Sequence, residues 1–310
     1  MNLNSVLFTS LTLAGALVAS AASAAPNWAA SPAQPVTLFY PGQSSWEWAL
    51  TTADHPGAEK FKGGKTCFAC HNGDEKNMGD LMVTGKKNEA SPISGKPGSI
   101  AAKVQFSHDA DTLYVKLVFA EGAQPNSHMD PTYATKVTML LNGGGVPEAN
   151  RAGCWGACHD DSAGMPSAGG SNRTMYLGKT RLALSRAGGG DALKPAAALA
   201  PMKAGGYELE YWQAHLNPGA AAVAANGVIF DKRTESKPTD VTASASNAGG
   251  TWTVTLSRKL NAPGAIPIVA GKKYTVGFAI HAGHTAKRFH YVSFERSFAL
   301  DQGAADFVVK

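Results

Sequence analysis

Short segments in which apolar and polar residues alternate dominate the second half of the chain, and alternation with a period of two is typical of half-buried β-strands. β-Branched and aromatic residues are enriched in these segments, as strands prefer. Strands are predicted over residues 207–215, 227–231, 241–246, 251–256, 273–281 and 288–298. Because turn residues separate them at short intervals, they predict a mainly β fold, a β-sandwich with little helix.

The first half of the chain adds a hairpin and one further strand. Residues 101–106 and 112–120 are joined by the turn sequence His108-Asp109-Ala110-Asp111. Residues 133–141 form a strand that ends at three consecutive glycines, and residues 181–205, rich in Ala, Leu and Lys, predict a short helix.

Two stretches interrupt the strand pattern. Residues 25–60 look irregular, and residues 57–98, rich in Gly, Lys and Asn, are typical of a loop wrapped round a cofactor. A second polar segment, rich in Gly and Ser, follows the predicted strand 133–141 and runs from the second cysteine cluster to about residue 172. We therefore expect residues 25–310 to form a single domain with insertions at 55–98 and 150–172.

Composition adds two points. The 34 glycines and 17 prolines favour strands and turns over a helical bundle. The net charge of +5 is spread along the chain without a long basic run. Nucleic acid is therefore not an expected partner.

The first 24 residues predict a secretory signal peptide. An apolar segment from Val6 to Val18 precedes Ala22-Ser23-Ala24, which fits the small-x-small cleavage pattern before Ala25. No Lys or Arg precedes the apolar segment, so an uncleaved anchor is the alternative. Because about 13 apolar residues fall short of the roughly 20 that cross a bilayer, we expect cleavage and a periplasmic protein of a Gram-negative bacterium.

All four cysteines fall in two clusters, each closed by a histidine. The first motif, Cys67-Phe68-Ala69-Cys70-His71, has the C-x-x-C-H spacing of c-type haem attachment. The two thiols add to the haem vinyl groups and the histidine binds the iron. A thioredoxin-like pair would need a βαβ context, and a Cys67–Cys70 disulfide would leave His71 unexplained.

The second motif, Cys154-Trp155-Gly156-Ala157-Cys158-His159, has one more residue between the thiols. Gly156 lies inside the insertion and can absorb the extra residue in a tight bulge. One zinc ion bound by all four cysteines is the alternative, but the motifs are far apart in sequence. We expect two covalently bound haems, attached through Cys67, Cys70, Cys154 and Cys158, with His71 and His159 on the two irons.

The opposite face of each iron needs a second ligand. His55 lies 12 residues before Cys67, far enough to reach over a haem edge. His281, His284 and His290 cluster near the C-terminus, and of these His290 and His281 are preferred. The alternatives are the thioethers of Met78, Met82 and Met165, and His284 to Arg288 could instead bind haem propionates.

The two motifs, the turn Phe106-Ser107-His108-Asp109 and the segments beginning at Phe278 and Arg288 resemble the ethylbenzene-dehydrogenase-related haem-binding domain family. That family includes the haem subunits of dimethyl-sulfoxide-reductase-type molybdoenzymes and free periplasmic multihaem cytochromes. The resemblance covers roughly residues 35–308 and implies a β-sandwich that holds haem and moves electrons. The molybdoenzyme subunits bind one non-covalent haem through Met and Lys, so two attachment motifs favour the free dihaem cytochromes.

Three functions follow from these features. The leading prediction is electron transfer between respiratory redox partners, namely periplasmic or membrane-bound cytochromes or a molybdoenzyme, with both irons six-coordinate. A haem enzyme with one open iron, such as a peroxidase or a small-oxyanion reductase, is the second. The third is a binding or sensing module, in which Trp28, Trp46, Trp48 and Trp212 form a recognition surface. We therefore expect an electron-transfer protein and not a catalyst. Carbon monoxide binding to the reduced protein distinguishes an electron carrier from a haem enzyme with an open iron.

Overall fold

The computed structural model describes residues 25–44, 46–156, 176–183, 190 and 192–310. The predicted leader, Cys158, His159 and Met165 lie outside these residues. Within the described part of the chain, no helix is both long enough and apolar enough to cross a bilayer.

Antiparallel strands form most of the structure, so the predicted mainly β fold is confirmed. The strands are β1 Gln34–Phe39, β2 Ser99–His108, β3 Thr112–Ala120, β4 Thr135–Asn142, β5 Leu209–Leu216, β6 Val223–Ile229, β7 Arg233–Glu235, β8 Val241–Ala248, β9 Thr251–Lys259, β10 Lys273–His281, β11 Tyr291–Val292, β12 Arg296–Leu300 and β13 Phe307–Val309. The helices are α1 Trp46–Ala49, α2 Ala58–Lys62, α3 Cys67–His71, α4 Glu75–Val83, α5 Pro147–Ala152 and α6 Ala196–Ala204, with 3₁₀ helices at Gly153–Gly156 and Gly178–Thr180.

The strands follow one path in the order β7-β6-β5-β4-β10-β11-β1-β2-β3-β9-β8, and β12 joins β10 to β13. The sheet folds back on itself so that β8 packs against β5 and β6. One large apolar core contains side chains from both halves of this strand order.

Alternation along the strands decides which side chains enter this core. In β4, Val137, Met139 and Leu141 are fully buried in it. Because successive residues of a strand point to opposite faces, Thr138 and Leu140 lie on the outer face of the sheet. Leu140 belongs instead to a second apolar cluster on the outer face, together with Val146 and Ala149.

A buried ion pair links the two halves of the sheet. Arg258 of β9 reaches Glu210 of β5 with 3.4 Å between Nη1 and Oε2, and both side chains are almost wholly buried. Glu210 also accepts the backbone N–H of Ile266 at 3.0 Å and a hydrogen bond from the indole of Trp212. The pair therefore lies in the core and not at its rim.

Several predicted strands have the expected bounds. Strands β3 and β10 match residue for residue, and the Asp109 carboxylate accepts the backbone N–H groups of Asp111 and Thr112 in the predicted hairpin turn. Residues 288–298 contain two strands, β11 and β12, because the chain leaves the sheet between them. The predicted helix in 181–205 is α6.

Two expectations for the first hundred residues are wrong. Residues 25–60 contain β1, which pairs with β2 from Gln34 to Phe39. Its Pro35 obscures the strand pattern but is tolerated, since the other neighbour, β11, pairs with β1 only at Phe39. Residues 57–98 are not a loop, because they contain α2, α3 and α4, and α4 packs against β1 and β2.

Candidate functional site

The first motif forms the short helix α3. Thr66 caps it, because its hydroxyl accepts the backbone N–H of Ala69 at 3.1 Å. Cys67 and Cys70 are three residues apart, so one helical turn puts both thiols on the same side. Cys67 is buried, Cys70 is exposed, and both are free thiols.

The imidazole rings of His55 and His71 lie side by side, with 6.0 Å between their centroids. A metal–imidazole bond is about 2.0–2.1 Å long, so two imidazoles on opposite sides of one metal ion have ring centres roughly 6 Å apart. The observed spacing therefore fits two ligands of a single iron. We call Cys67, Cys70, His71 and His55 the first site.

Hydrogen bonds leave one nitrogen of His55 for a metal. Its Nδ1 lies 2.8 Å from the carbonyl oxygen of Ala49, which leaves Nε2 available. Residue 57 is a glycine, and a Cβ atom there would lie 3.1 Å from this Nε2. His71 Nδ1 faces Asp74 at 3.6 Å, so its Nε2 is also available.

Aromatic rings surround the first site. Trp48 stacks on His55 with 5.4 Å between ring centroids, and Phe294 stacks on His71 at 6.1 Å. The same apolar cluster includes Phe39, Phe61, Phe68, Trp46, Trp155 and Met78. An apolar wall of this kind suits a flat, largely hydrophobic macrocycle and keeps water from the metal.

Of the alternative ligands near the first motif, Met82 lies in the core of the sheet. Met78 packs against the apolar cluster of the first site and stays a candidate. The ring spacing favours His55 over Met78.

Cys154 begins the second motif in the 3₁₀ helix that follows α5. The chain there presses against β10, because a Cβ atom on Gly277 would lie 2.6 Å from the backbone nitrogen of Cys154 and 2.9 Å from its Sγ. A Cβ on Gly156 would similarly lie 2.6 Å from the nitrogen of Ala149. Glycine at both positions permits this close approach.

The Cys154 side chain lines a cavity of about 410 Å³ on the outer face of β4, β5 and β10. This volume falls within the usual range of cofactor and ligand pockets. Three histidines, His215, His281 and His290, and three cationic side chains, Lys136, Arg233 and Lys287, also line the cavity. We call Cys154 and this cavity the second site.

The ring centroids of His281 and His290 are 4.8 Å apart, which is too close for two ligands of one iron. His281 Nε2 lies 2.9 Å from the carbonyl oxygen of Lys287, and His290 Nδ1 lies 2.7 Å from the same oxygen. Both histidines line the cavity, so both stay candidate ligands of the second site. His284 is directed elsewhere, with its Nδ1 on the carbonyl oxygen of Asp130.

Sequence reasoning missed His215 and the cationic side chains of the cavity. His215 packs on Tyr133 with 4.5 Å between ring centroids, and burial lowers its pKa. The alternation of β5 places His215 on the same outer face as Gln213. The sequence contains this pattern, but the pattern alone does not show that a cavity lies on that face. Lysine and arginine side chains here suit the carboxylates of a bound cofactor.

Burial keeps the thiols of Cys67 and Cys154 neutral. It raises the pKa of Cys67 far above its usual value and that of Cys154 to about 12. Reactive cysteines have lowered pKa values, so neither thiol has the character of a nucleophile or a redox-active pair. Both fit attachment points.

The two sites adjoin one another. Cys154 of the second site packs into the apolar cluster around Cys67. The next residue, Trp155, lies 6.0 Å from Phe39 and 6.5 Å from Trp48 between ring centroids. Ala279 of β10 belongs to that cluster and also lines the cavity.

Two curated proteins are similar to the chain over nearly its whole length. It is 35% identical over 299 residues to cytochrome c-552 of Stutzerimonas stutzeri, covering 93% of each sequence. It is 33% identical over 273 residues to cytochrome c-551 of Rhodocyclus tenuis, covering 87% of this chain and 92% of the relative. No family model matches. A match to a solved structure titled a putative carbohydrate-binding protein, from Bacteroides uniformis, covers 66% of this chain and 72% of that one, but a TM-score of 0.31 and 10% identity do not show a shared fold.

Proposed function

The chain belongs to the c-type cytochromes, electron carriers with covalently bound haem, and on this premise we propose that it is a periplasmic dihaem cytochrome. One haem is attached at Cys67 and Cys70 with His71 and His55 on its iron. The other is attached at Cys154 and Cys158 with His159 and either His290 or His281. Its partners are other redox proteins, and we assign it to the free dihaem branch of the ethylbenzene-dehydrogenase-related haem-binding domain family.

One observation carries the proposal. The histidine that closes the first motif has a second histidine at the spacing of two ligands of one iron, beside the buried thiol of Cys67. The second site supports a second haem, because the first cysteine of its motif lines a cavity that is also lined by histidine and cationic side chains.

Haem supplies an iron that gains and loses one electron without a change in bonding. The chain's own residues set the conditions for that exchange. His55 and His71 would hold the metal on both faces and leave no open position. Trp48, Phe61 and Phe294 pack on these two histidines and would shield a bound metal from water, which would help to set its reduction potential.

The closeness of the two sites suits electron transfer within one chain. Because Cys154 and Ala279 border both the apolar cluster and the cavity, no layer of solvent separates the two sites there. Haems held at the two sites would therefore have protein and not solvent between them at this point, which would favour electron transfer within the chain.

The test is a pyridine haemochrome count on purified, denatured protein. We expect two haems per chain, one in the variant Cys67→Ala/Cys70→Ala, and one in Cys154→Ala/Cys158→Ala. Reduced protein should not bind carbon monoxide readily, because both irons are six-coordinate. A count of one haem in the unaltered protein, or rapid carbon monoxide binding, would contradict the proposal.

A further inference from the structure

Glu295 lies in the segment between β11 and β12, and its carboxyl group contacts the start of α3. Its Oε1 accepts the backbone N–H of Phe68, the residue after Cys67, at 3.0 Å. The side chain is only 9% exposed. A buried carboxyl group therefore lies directly beside the first attachment cysteine.

The other oxygen of this carboxyl group is unusual. Glu295 Oε2 is buried and has no hydrogen-bond partner. Buried carboxylates normally have partners for both oxygens, because an ion that leaves water loses its hydration. An unpartnered, buried oxygen is a place where a proton can be held.

The protonation equilibrium of Glu295 lies near neutral pH. Burial raises its pKa to about 7, although hydrogen bonds from Thr66 and from the backbone of Phe68 favour the charged form. Burial outweighs these bonds because it disfavours the charged form of the carboxyl group.

Few charges surround the carboxyl group. The titratable and charged groups near it and near Cys67 are Cys67 and Cys70 on α3, Arg151 on α5, Arg296 on β12 and Asp306 before β13. Arg296 is engaged by Asp306 at 3.8 Å and lies over the ring of Phe68. Within the described part of the chain, no cation makes an ion pair with Glu295, and thioether attachment would remove both thiols from the titration.

We propose that Glu295 takes up a proton when the haem at Cys67 is reduced, so that the protein carries a proton together with the electron. The electron comes from the redox partner and enters the iron, while the proton comes from solvent and binds Oε2. Oxidation reverses both steps, and no other bond forms or breaks. This inference rests on the proposed haem attachment at Cys67.

Electrostatics sets the direction of the coupling. Reduction removes one positive charge from the haem, which favours the neutral form of a nearby carboxyl group and raises its pKa. Glu295 therefore has a lower pKa in the oxidised protein and a higher pKa in the reduced protein. Below the lower pKa the carboxyl group is protonated in both redox states, and above the higher pKa it is ionised in both. Between them, a tenfold fall in proton concentration lowers the potential by at most about 59 mV for a one-electron couple.

The experiment is a potentiometric titration of the holoprotein between pH 5 and pH 9, monitored by its visible spectrum. We expect one haem of the unaltered protein to have a potential that falls as pH rises through neutral. Glu295→Gln keeps the shape of the side chain but cannot ionise, so it should abolish this slope. Glu295→Asp keeps a titrating group and should retain a slope. This variant tests the proposal even if the Gln variant does not fold.

Glu75→Gln is the matched control. Glu75 is equally buried near the other end of α3, but its carboxylate accepts the backbone N–H of Gly73 at 2.9 Å. This variant should keep the slope. A flat potential in the unaltered protein, or an unchanged slope in Glu295→Gln, would overturn the inference. A haem count measured on each sample separates that result from a failure of the proposed attachment, which would appear as missing haem.

Discussion

At the scale of single residues, His55 and His71 are held by different contacts. His71 is fixed by its place in α3, directly after Cys70. His55 comes from the preceding segment, and the carbonyl oxygen of Ala49, the indole of Trp48 and the missing side chain of Gly57 together set its orientation. A hydrogen bond to the second ring nitrogen and packing around the ring are the contacts that fix the direction of a metal-binding imidazole.

The variant His55→Ala should convert one haem from low spin to high spin and allow carbon monoxide to bind it. The imidazole on one face would be lost, and the other ring at a similar distance from His71, that of Phe294, has no atom that can bind a metal. Electron paramagnetic resonance and the visible spectrum of the oxidised protein measure the change. His128→Ala is the control, because His128 is exposed in a loop and should leave both spectra unchanged. An unaltered low-spin spectrum in His55→Ala would point to Met78 as the ligand instead.

At the scale of elements, the second motif depends on how closely its 3₁₀ helix approaches β10. The strand contributes Ala279 and His281 to the cavity, and Gly277 on the same face lets the backbone of Cys154 lie against it. Residues two apart on a strand share a face, so one strand supports the attachment cysteine, a wall and a candidate ligand.

The variant Gly277→Ala should therefore reduce occupancy of the second haem. Its Cβ would need the space now taken by the backbone nitrogen of Cys154, so the 3₁₀ helix must move away. The haemochrome count of the variant should fall from two towards one. Gly205→Ala, at the end of α6, is the control, because the nearest atom to a Cβ there is the carbonyl oxygen of Pro201 at 3.3 Å, so no part of the second motif has to move. A full count in Gly277→Ala would contradict this role for β10.

At the scale of the whole molecule, the halves of the sheet are joined by the core and by the ion pair of Glu210 and Arg258. Burial raises the pKa of Glu210, which Arg258 opposes, and burial lowers the pKa of Arg258. Each charge is therefore compensated in the core by the other, together with hydrogen bonds to Ile266 and, for Glu210, from Trp212.

The variant Glu210→Ala should lower the free energy of unfolding by about 3–5 kcal/mol, because it leaves the guanidinium of Arg258 buried without its partner. Guanidinium chloride unfolding followed by circular dichroism measures the loss. The double variant Glu210→Leu/Arg258→Leu should be more stable than the single one, since it removes both charges and adds apolar volume. Equal or lower stability of the double variant would argue against the desolvation explanation.

Local patterns in the sequence determined much of this protein. The hairpin turn predicted β3 and the β-branched and aromatic residues predicted β10, both to the residue, since turn chemistry and strand preference depend on neighbours in the chain. The spacing of Cys67, Cys70 and His71 predicted haem attachment, because the chemistry depends on neighbours in the chain. The sequence also singled out His55, His281 and His290.

Only the tertiary structure decided which of these residues come together. The closeness of the His55 and His71 rings, and the finding that His281 and His290 lie too close to be two ligands of one iron, depend on distances that no local pattern contains. The cavity draws residues from β4, β5, β6 and β10, which adjoin only after the sheet forms. The same holds for Glu295, because it is 227 residues from Phe68 in sequence and its burial beside Cys67 arises from packing between distant segments.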